Sequence, residues 1–225
     1  STQGVSSAAS DVYKRQCMQR DALKVADECY ADYVNPFIGT DFTGNTYPGA
    51  QVPFGMVQLS PDNGLPGWDR ISGYFYPDST IAGFSHTHLS GTGAGDLYDI
   101  SFMPVTLPYK EAEEPLGIHS RFSHADEAAS AGYYRVLLKD YDINVELTAT
   151  ERCGIQRYTF PQADAAVILN LRKAMNWDFT EDSYVEKVDS VTIQGYRFSD
   201  GWARGQRIFF RTRFSRPVSY THLTL

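Results

Sequence analysis

A strict alternation of apolar and polar residues in the second half of the chain is its clearest structural signal. In Ile143 to Thr150 the apolar or small residues fall at every second position, so an extended chain has one apolar and one polar face. Tyr133 to Lys139 is a second run rich in β-forming residues, and the short segment Asp140 to Asp142 separates the two. This pattern predicts a half-buried antiparallel hairpin.

Further runs of strand character follow one another with turn residues between them. Ala165 to Leu171 is apolar enough to predict a strand buried on both faces. Asn176 to Asp189 is acidic and polar, and Ser60 to Gly64 combines proline with an Asn-Gly pair, so we expect a connection and a turn there. A weak helical spacing predicts a short helix over Met18 to Cys29. The other predicted strands are Met56–Leu59, Ile155–Phe160, Val191–Phe198 and Arg207–Phe214.

The predicted elements define the fold class. About seven short strands at regular spacing, with almost no amphipathic helix, predict an all-β fold, an antiparallel β-sandwich. A parallel α/β fold is not expected, because the crossover helices that it needs are missing from the pattern.

Composition narrows the classes of partner. The chain has 20 Lys and Arg against 27 Asp and Glu, a formal net charge of −7, and no basic cluster, so we expect no nucleic-acid partner. No apolar run approaches the roughly 20 residues that span a bilayer, so we expect no membrane span. Cys17, Cys29 and Cys153 are too few and too scattered for a disulfide framework or a metal motif. The abundant Tyr and Phe, 15 and 13 residues, suit strands and also sugar-binding surfaces, but alone they support only the first.

Both ends of the chain carry residues that we expect to be foreign to the natural protein. Asp11 to Gln16 can be encoded by a transposon end used to prepare sequencing libraries, and the reverse complement of the same nucleotides encodes Val218 to His222. Residues 1–16 and 218–225 are therefore interpreted as adapter-derived tails and are excluded from fold reasoning. We expect residues 17–217 to be the native domain and the natural protein to continue beyond them.

The segment Gly73 to Pro104 concentrates polar side chains and glycines between two apolar segments. An extended chain would direct the imidazoles of His86 and His88 to one face, and the glycines that follow permit tight turns. Asp96 or Asp99 could supply oxygen ligands to a metal at this pair, but no third histidine or cysteine lies near at a recognised spacing. The alternative is a structural loop whose histidines bond backbone groups.

A second candidate is the tripeptide Gly67 to Asp69. Trp68 either fills the core of the domain or lies at the rim of a pocket, where its ring stacks on a sugar and Asp69 accepts a hydroxyl hydrogen bond. The carboxylates of Asp62, Asp69, Asp96 and Asp99 could also provide an acid–base pair, although loop aspartates usually serve turns and caps. The residues by themselves leave these alternatives open.

Longer motifs, in a consistent order, resemble one known family. The chain is similar to the N-terminal domain of glycoside hydrolase family 92, a family of exo-acting α-mannosidases, over about Tyr33 to Pro217. The motifs that carry the resemblance are VNPFIGT (34–40), YPGAQVPFGMVQLSPD (47–62), GWD (67–69), SGY (72–74), GFSHTHLSGTG (83–93), GYYRV (132–136), ELTATER (146–152), RYTFP (157–161) and GWARGQRIFF (201–210).

The resemblance implies a two-domain enzyme. An N-terminal β-sandwich would pack on a C-terminal (α/α)6 barrel. The enzyme would bind a calcium ion and hydrolyse terminal α-mannosides with inversion, and we expect these to be α-1,2-linked. The general acid, the general base and the calcium ligands are implied to lie in the barrel, so no catalytic residue or metal ligand is carried over to this sequence. The implied partners are a mannose-containing glycan and the barrel, and the implied location is secreted or periplasmic.

For this chain the resemblance implies a share in the substrate pocket. Trp68 matches the position expected to pack against the sugar, and Asp69, His86 and His88 are predicted to belong to the substrate-binding wall or the domain interface. We expect the chain alone to be inactive. Two alternatives remain: a free-standing carbohydrate-binding module with Trp68 as its stacking platform, and a purely structural docking domain.

Overall fold

Fourteen strands form the framework of the part of the chain that the structure describes. The structure is a computed structural model, and it describes residues 29–91, 93–110, 112, 117–161, 164–172 and 178–219. The strands are β1 (Ala50–Gln51), β2 (Gln58–Asp62), β3 (Thr80–Ile81), β4 (Gly83–Ser85), β5 (Ser101–Thr106), β6 (Ser120–Arg121), β7 (Glu127–Ser130), β8 (Tyr133–Leu138), β9 (Ile143–Ala149), β10 (Gly154–Thr159), β11 (Ala165–Asn170), β12 (Phe179–Lys187), β13 (Thr192–Asp200) and β14 (Gln206–Arg213). Short 3-10 turns lie at Tyr30–Tyr33, Trp68–Arg70 and His124–Asp126.

The strands form three layers and a small ribbon. The central sheet has the order β1-β2-β4-β5-β11, a second sheet has the order β10-β9-β8-β7, and a third has the order β12-β13-β14. β3 and β6 pair separately as a two-stranded ribbon. All of the pairs among the described strands are antiparallel. The predicted all-β sandwich is therefore confirmed, with a third layer added to it.

The main hydrophobic core lies between the central and the second sheet. β1 and β2 lie against β8 and β9, so the inward residues of both sheets interdigitate as in a β-sandwich. The central sheet supplies Ala50, Leu59, Phe84, Met103 and Val105, and the second sheet supplies Tyr134, Val136, Leu138, Ile143, Val145 and Leu147.

A second core lies on the other face of the central sheet. Phe102, Ile100, Leu171 and Ile193 are buried there, with Ile208 and Phe210 of the third sheet packed against them. β5 and β11 serve both cores because their side chains alternate. In β11, Ala166 and Ile168 face the main core, and Val167 and Leu169 face the second one. Both faces of β11 therefore pack against a core, but the predicted burial is only partial, because β11 is the edge strand of the central sheet.

The predicted hairpin is also confirmed. β8 and β9 pair antiparallel from Tyr133 opposite Thr148 to Leu138 opposite Ile143, which places Asp140 to Asp142 in the connecting turn. Asp142 takes a positive φ of 53° in that turn. The strands predicted over Ile155–Phe160, Val191–Phe198 and Arg207–Phe214 correspond to β10, β13 and β14 with small shifts in their ends.

Two local predictions are wrong. Asn176 to Asp189 is not a connection, since it contains the nine-residue strand β12. A register shift between Thr180 and Asp182 breaks the apolar alternation there, so the pattern does not show the strand. Ser60 to Gly64 is not a turn, since β2 continues through Asp62, with Pro61 opposite Phe84. β1 pairs with β2 only at Gln58 and Leu59, so Pro61 lies where that neighbour has ended and its missing N–H is tolerated.

Three predictions fall wholly or mostly outside the described residues. These are the tail at 1–16, the helix over Met18 to Cys29 except its last residue, and the tail at 218–225 except Val218 and Ser219.

Candidate functional site

Trp68 and Asp69 lie at the surface on a braced 3-10 turn. Arg70, the last residue of the turn, donates from Nε and Nη2 to the two carboxylate oxygens of Asp78 at 2.7 and 2.6 Å. Its guanidinium carbon lies 4.6 Å from the ring centre of Phe75. A bidentate pair of this kind fixes geometry as well as contributing energy. Trp68 is 52% exposed, so it does not fill the core, and the turn presents its ring outward beside the half-buried Asp69.

His88 lies inside the domain at 3% exposure, and both of its ring nitrogens are bonded. Nδ1 lies 2.7 Å from the carbonyl oxygen of Gln58, which can only accept, so Nδ1 carries a proton. Nε2 lies 2.8 Å from Asp62 Oδ1 and 3.0 Å from Ser85 Oγ. Gln58 and Asp62 are the two ends of β2, so His88 fastens the segment after β4 along the whole of that strand.

The segment that carries Trp68 rests on this histidine. The ring of Tyr98 meets His88 edge-on, with centroids 5.8 Å apart, and its hydroxyl donates to the carbonyl oxygen of Ile71. Gly73 has a φ of +88°, and a Cβ there would lie 2.9 Å from His88 Cδ2. Glycine is therefore required at this position both for its backbone conformation and for the close approach.

His86 has different neighbours from His88. Its Nδ1 donates to the carbonyl oxygen of Ile100 at 2.7 Å, and its ring meets Phe102 edge-on at 5.8 Å. Gly154 of β10 lies so close that a Cβ there would be 2.6 Å from His86 Cδ2. Burial is the main cause that lowers the pKa of His86, which favours the neutral ring. The two imidazoles therefore hold different segments: His86 bonds the residue before β5, and His88 bonds both ends of β2.

A buried ion-pair network holds the residue between the two histidines. Thr87 Oγ1 donates to Asp99 Oδ2 at 2.7 Å, and the backbone N–H of Asp99 donates back to Thr87 Oγ1 at 2.9 Å. Asp99 Oδ1 accepts from Arg197 Nη1 at 2.6 Å, while Arg197 Nη2 donates to Asp178 Oδ2 at 2.9 Å. Arg197 is 1% exposed. The network therefore links β13 of the third sheet to the segment that carries both histidines.

Asp178 is the least satisfied member of this network. Its pKa is raised to about 6, chiefly by burial and further by the nearby charges of Asp96 and Asp99, and Arg197 only partly offsets these effects. Its Oδ1 atom has no hydrogen-bond partner within the described part of the chain. Asp96, Asp99 and Asp178 are all buried, and Arg197 bonds only the last two, so the negative charge of the cluster is only partly compensated.

Asp96 fastens the same segment to the β13–β14 turn. It accepts from the backbone N–H groups of Trp202 and Ala203 at 3.2 and 2.7 Å and from the side-chain amide of Gln206 at 3.3 Å. The backbone just after Asp96 is strained, and such strain persists only where the surrounding contacts hold it. The residues with positive φ are Leu97, Tyr98 and Ile100.

These contacts decide what the carboxylates can do. Asp62, Asp96 and Asp99 are buried and bonded to structural partners, and only Asp69 of the four candidate acids is partly exposed. Across the described ranges, no group of three or more His, Cys, Asp or Glu residues is placed to hold a metal. The arrangement can present an aromatic ring and one carboxylate to a ligand from a rigid base.

Arg197 and Asp178 are not among the site residues that the sequence pattern predicts. Arg197 did carry a signal, because it shares its parity with Ile193 and Gly195 on the apolar side of a predicted strand. A charged residue on an apolar face indicates a buried ion pair, since Arg is rarely buried unpaired. Asp178 carried no comparable signal, because it lies in an acidic segment whose pattern predicts a connection.

A separate cavity of about 310 Å³ lies near the start of the domain, among Asn35, Phe37, Thr40, Asp41, Tyr76, His124 and Glu127. Glu127 accepts hydrogen bonds from the hydroxyls of Tyr74 and Tyr134, and His124 Nδ1 lies 2.7 Å from it. The His124 ring stacks on Tyr76 at 3.9 Å. None of the predicted site residues lines this cavity. Glu127, its most buried acid, is already hydrogen-bonded to side chains of the domain.

The described part of the chain is thus an antiparallel β-sandwich domain that presents a braced turn, Trp68–Arg70, at its surface. The chain belongs to the glycosyl hydrolase family 92 N-terminal domain family, whose model matches residues 33–224. The family that the motifs predicted is thereby confirmed.

Solved structures of that family share this fold. The family GH92 α-mannosidase BT3965 from Bacteroides thetaiotaomicron, solved alone and with mannoimidazole, matches with a TM-score of 0.80 and 43% identity over 84% of this chain and 26% of its own. The family GH92 inverting mannosidase BT2199 from the same organism matches with a TM-score of 0.67 and 28% identity over 84% of this chain and 25% of its own.

A curated relative is named an uncharacterized secreted glycosidase, from Arthroderma benhamiae (strain ATCC MYA-4681 / CBS 112371). It is 29% identical over 143 residues, which are 59% of this chain and 18% of that protein. This chain therefore spans about a quarter of the length of the structures it matches, and less of the curated relative.

Proposed function

We propose that this chain is the substrate-facing N-terminal domain of an inverting exo-α-mannosidase. The observation that carries the proposal is the 43% identity, over 84% of the chain, to a protein described as an α-mannosidase and solved with mannoimidazole. The acid and base of an inverting glycosidase are two carboxylates on opposite sides of the scissile bond. Because the candidate aspartates here are mostly buried and bonded, we assign both catalytic carboxylates to a C-terminal (α/α)6 barrel that packs against this domain.

Trp68 and Asp69 are the proposed sugar contacts of this domain. A half-exposed indole offers a flat apolar face to the C–H groups of a pyranose, and a neighbouring carboxylate accepts bonds from its hydroxyls. His88 is proposed to act indirectly by fixing β2 and the backbone at Gly73 beside the turn, and His86 by fixing the segment that leads into β5. Their bonds to Ile100, Gln58 and Asp62 support this role.

The proposed enzyme depends on calcium, and the described residues of this domain do not fit a calcium site. Asp62, Asp99 and Asp96 are engaged by His88, Arg197 and backbone N–H groups, and no group of three acids in the described part of the domain is placed to supply several of the six to eight oxygen ligands that Ca²⁺ takes. The ligands are therefore proposed to lie in the barrel.

The proposed substrate is a glycan that ends in α-1,2-linked mannose, and the proposed location is outside the cytoplasm. The name of the Arthroderma relative, a secreted glycosidase, supports export. No helix in the described ranges is long and apolar enough to cross a membrane.

The test uses the full-length protein that carries this domain and measures mannose release from α-1,2-linked mannobiose. We expect Trp68→Ala to lower kcat/KM by about tenfold or more, because losing one stacking face removes on the order of 1.5 kcal/mol of binding. Tyr109→Ala is the matched control. Tyr109 is an aromatic residue of comparable exposure that follows the C-terminal end of β5 and is not part of the Trp68–Arg70 turn. A full-length protein that releases no mannose from any α-mannoside contradicts the function, and an active Trp68→Ala variant with unchanged kcat/KM contradicts the role of Trp68.

A further inference from the structure

The outer face of the third sheet carries an ordered aromatic surface that the proposed active site does not use. The strand register places Tyr184 of β12 opposite Tyr196 of β13, and Tyr196 opposite Phe209 of β14. Ring centroids along this row are 5.8 and 6.0 Å apart. Phe198 adds a fourth ring, 4.3 Å from Tyr196 and 5.6 Å from Phe209. We call these four rings the aromatic platform.

The platform is not needed for the core of the domain. Val185, Ile193, Ile208 and Phe210 project from the opposite face of the same three strands and fill the second core. Phe209 is 70% exposed and Tyr184 is 44% exposed. Contiguous exposed apolar surface that polar residues border is a mark of an interaction site.

Polar groups border the platform on both sides. On β12, Asp182 accepts from the Tyr196 hydroxyl at 2.9 Å, and Glu186 accepts from the Tyr184 hydroxyl at 3.1 Å. On β14, the register places Arg207 opposite Phe198, with its guanidinium carbon 5.0 Å from the ring centre. The rings therefore lie between an acidic row and a basic row.

The balance of charge identifies the class of ligand. Asp182 and Glu186 lie two residues on either side of Tyr184 in β12. Arg207 and Arg211, both exposed, lie two residues on either side of Phe209 in β14. Their four formal charges sum to zero, which favours neither an anionic nor a cationic ligand. Flat rings bordered by carboxylates and guanidinium groups complement a pyranose, which has apolar C–H faces and an equatorial rim of hydroxyls.

We propose that the aromatic platform binds a neutral oligosaccharide chain at a second site, separate from the Trp68 turn. The choice of a glycan rests on the proposed function. Such a site would hold a polymeric substrate to the enzyme without taking part in the cleavage of a short one.

The experiment measures retention of the full-length protein by soluble α-mannan in native affinity gels, alongside kcat/KM on α-1,2-mannobiose. We expect Phe209→Ala and Tyr184→Ala each to weaken retention at least fivefold and to leave kcat/KM on the disaccharide within twofold of the unmodified protein. Tyr109→Ala, exposed and outside the platform, should retain normally. Two platform variants are used so that a folding defect in one leaves the other informative.

Three results would overturn the proposal: unchanged retention of both platform variants, retention by an anionic polysaccharide but not by mannan, and protection of Phe209 from hydroxyl-radical oxidation in the full-length protein without glycan. The last result would mean that another part of the protein covers the platform. An inactive full-length protein that still needs Phe209 for retention would contradict the proposed function alone, so the two failures are distinguishable.

Discussion

Replacing Arg197 with methionine removes the cation that two buried carboxylates share. The guanidinium donates to Asp99 at 2.6 Å and to Asp178 at 2.9 Å, and it also bonds the carbonyl oxygens of Leu171 and Leu97 at 3.2 and 3.3 Å. Methionine retains most of the volume and none of the donors. Removing one partner of a buried pair costs about 3–5 kcal/mol, because it leaves an uncompensated buried charge.

The pKa of Asp178 limits this cost. That pKa is about 6 although Arg197 lowers it, so without Arg197 it rises further and taking up a proton at pH 7 costs at most about 1.4 kcal/mol. The two carboxylates of the variant therefore do not have to carry two full charges. We therefore expect Arg197→Met to lower the free energy of unfolding by about 4 kcal/mol at pH 7. That is a large part of the roughly 5–15 kcal/mol typical of a domain.

The assay is urea unfolding followed by tryptophan fluorescence, with Arg197→Met compared with the double variant Arg197→Met/Asp99→Asn. If the loss comes from stranded charge, the double variant should recover at least about 1 kcal/mol, because the amide no longer carries a charge that needs a partner. A loss below about 1 kcal/mol for Arg197→Met, or a double variant no more stable than the single one, would refute this account of the network.

Two other substitutions test separate parts of the site. Gly73→Ala should lower the Tm more than Gly91→Ala. Both glycines have a φ of +88°, but only at Gly73 would the new Cβ lie 2.6 Å from Asp62 Oδ1. Equal Tm values for the two variants would contradict this packing. Because the pKa of Asp178 is raised from 3.8 to about 6 on folding, its contribution to stability is complete below pH 4 and is lost as the pH rises through 6, by about 3 kcal/mol in all. In Asp178→Asn that component should vanish, so a stability difference from the unmodified chain that stays constant between pH 4 and 7 would exclude the shift.

The strands that alternate regularly could be predicted because the fold agrees with their local pattern. β8, β9 and β11 have their apolar residues at the positions that the cores require, so periodicity alone locates them. β12 differs because its register shift at Thr180 and Asp182 breaks the period of two. β2 differs because Ser60, Pro61 and Asp62 have turn chemistry, and only pairing with β4 makes them a strand.

The candidate site could likewise be predicted only in part. The motif around Trp68 and the pair of histidines could be singled out from residue types in one stretch of chain. Which of them are exposed could not be predicted, because exposure depends on segments distant in sequence. Gln58 and Asp62 hold His88 inside the domain from 30 and 26 positions away, whereas Trp68 stays at the surface on its own short turn.

The class of this protein could be predicted from local information, since an acidic, strand-rich chain carries the ordered motifs of a family 92 N-terminal domain. Tertiary structure alone decided which polar residues support the site and which face outward. Arg197 is 98 positions from Asp99, and Tyr184, Tyr196 and Phe209 form one row only because three strands pair in a particular register. The physical reason is that burial and pairing join residues distant along the chain, whereas local pattern reports only the face on which each residue lies.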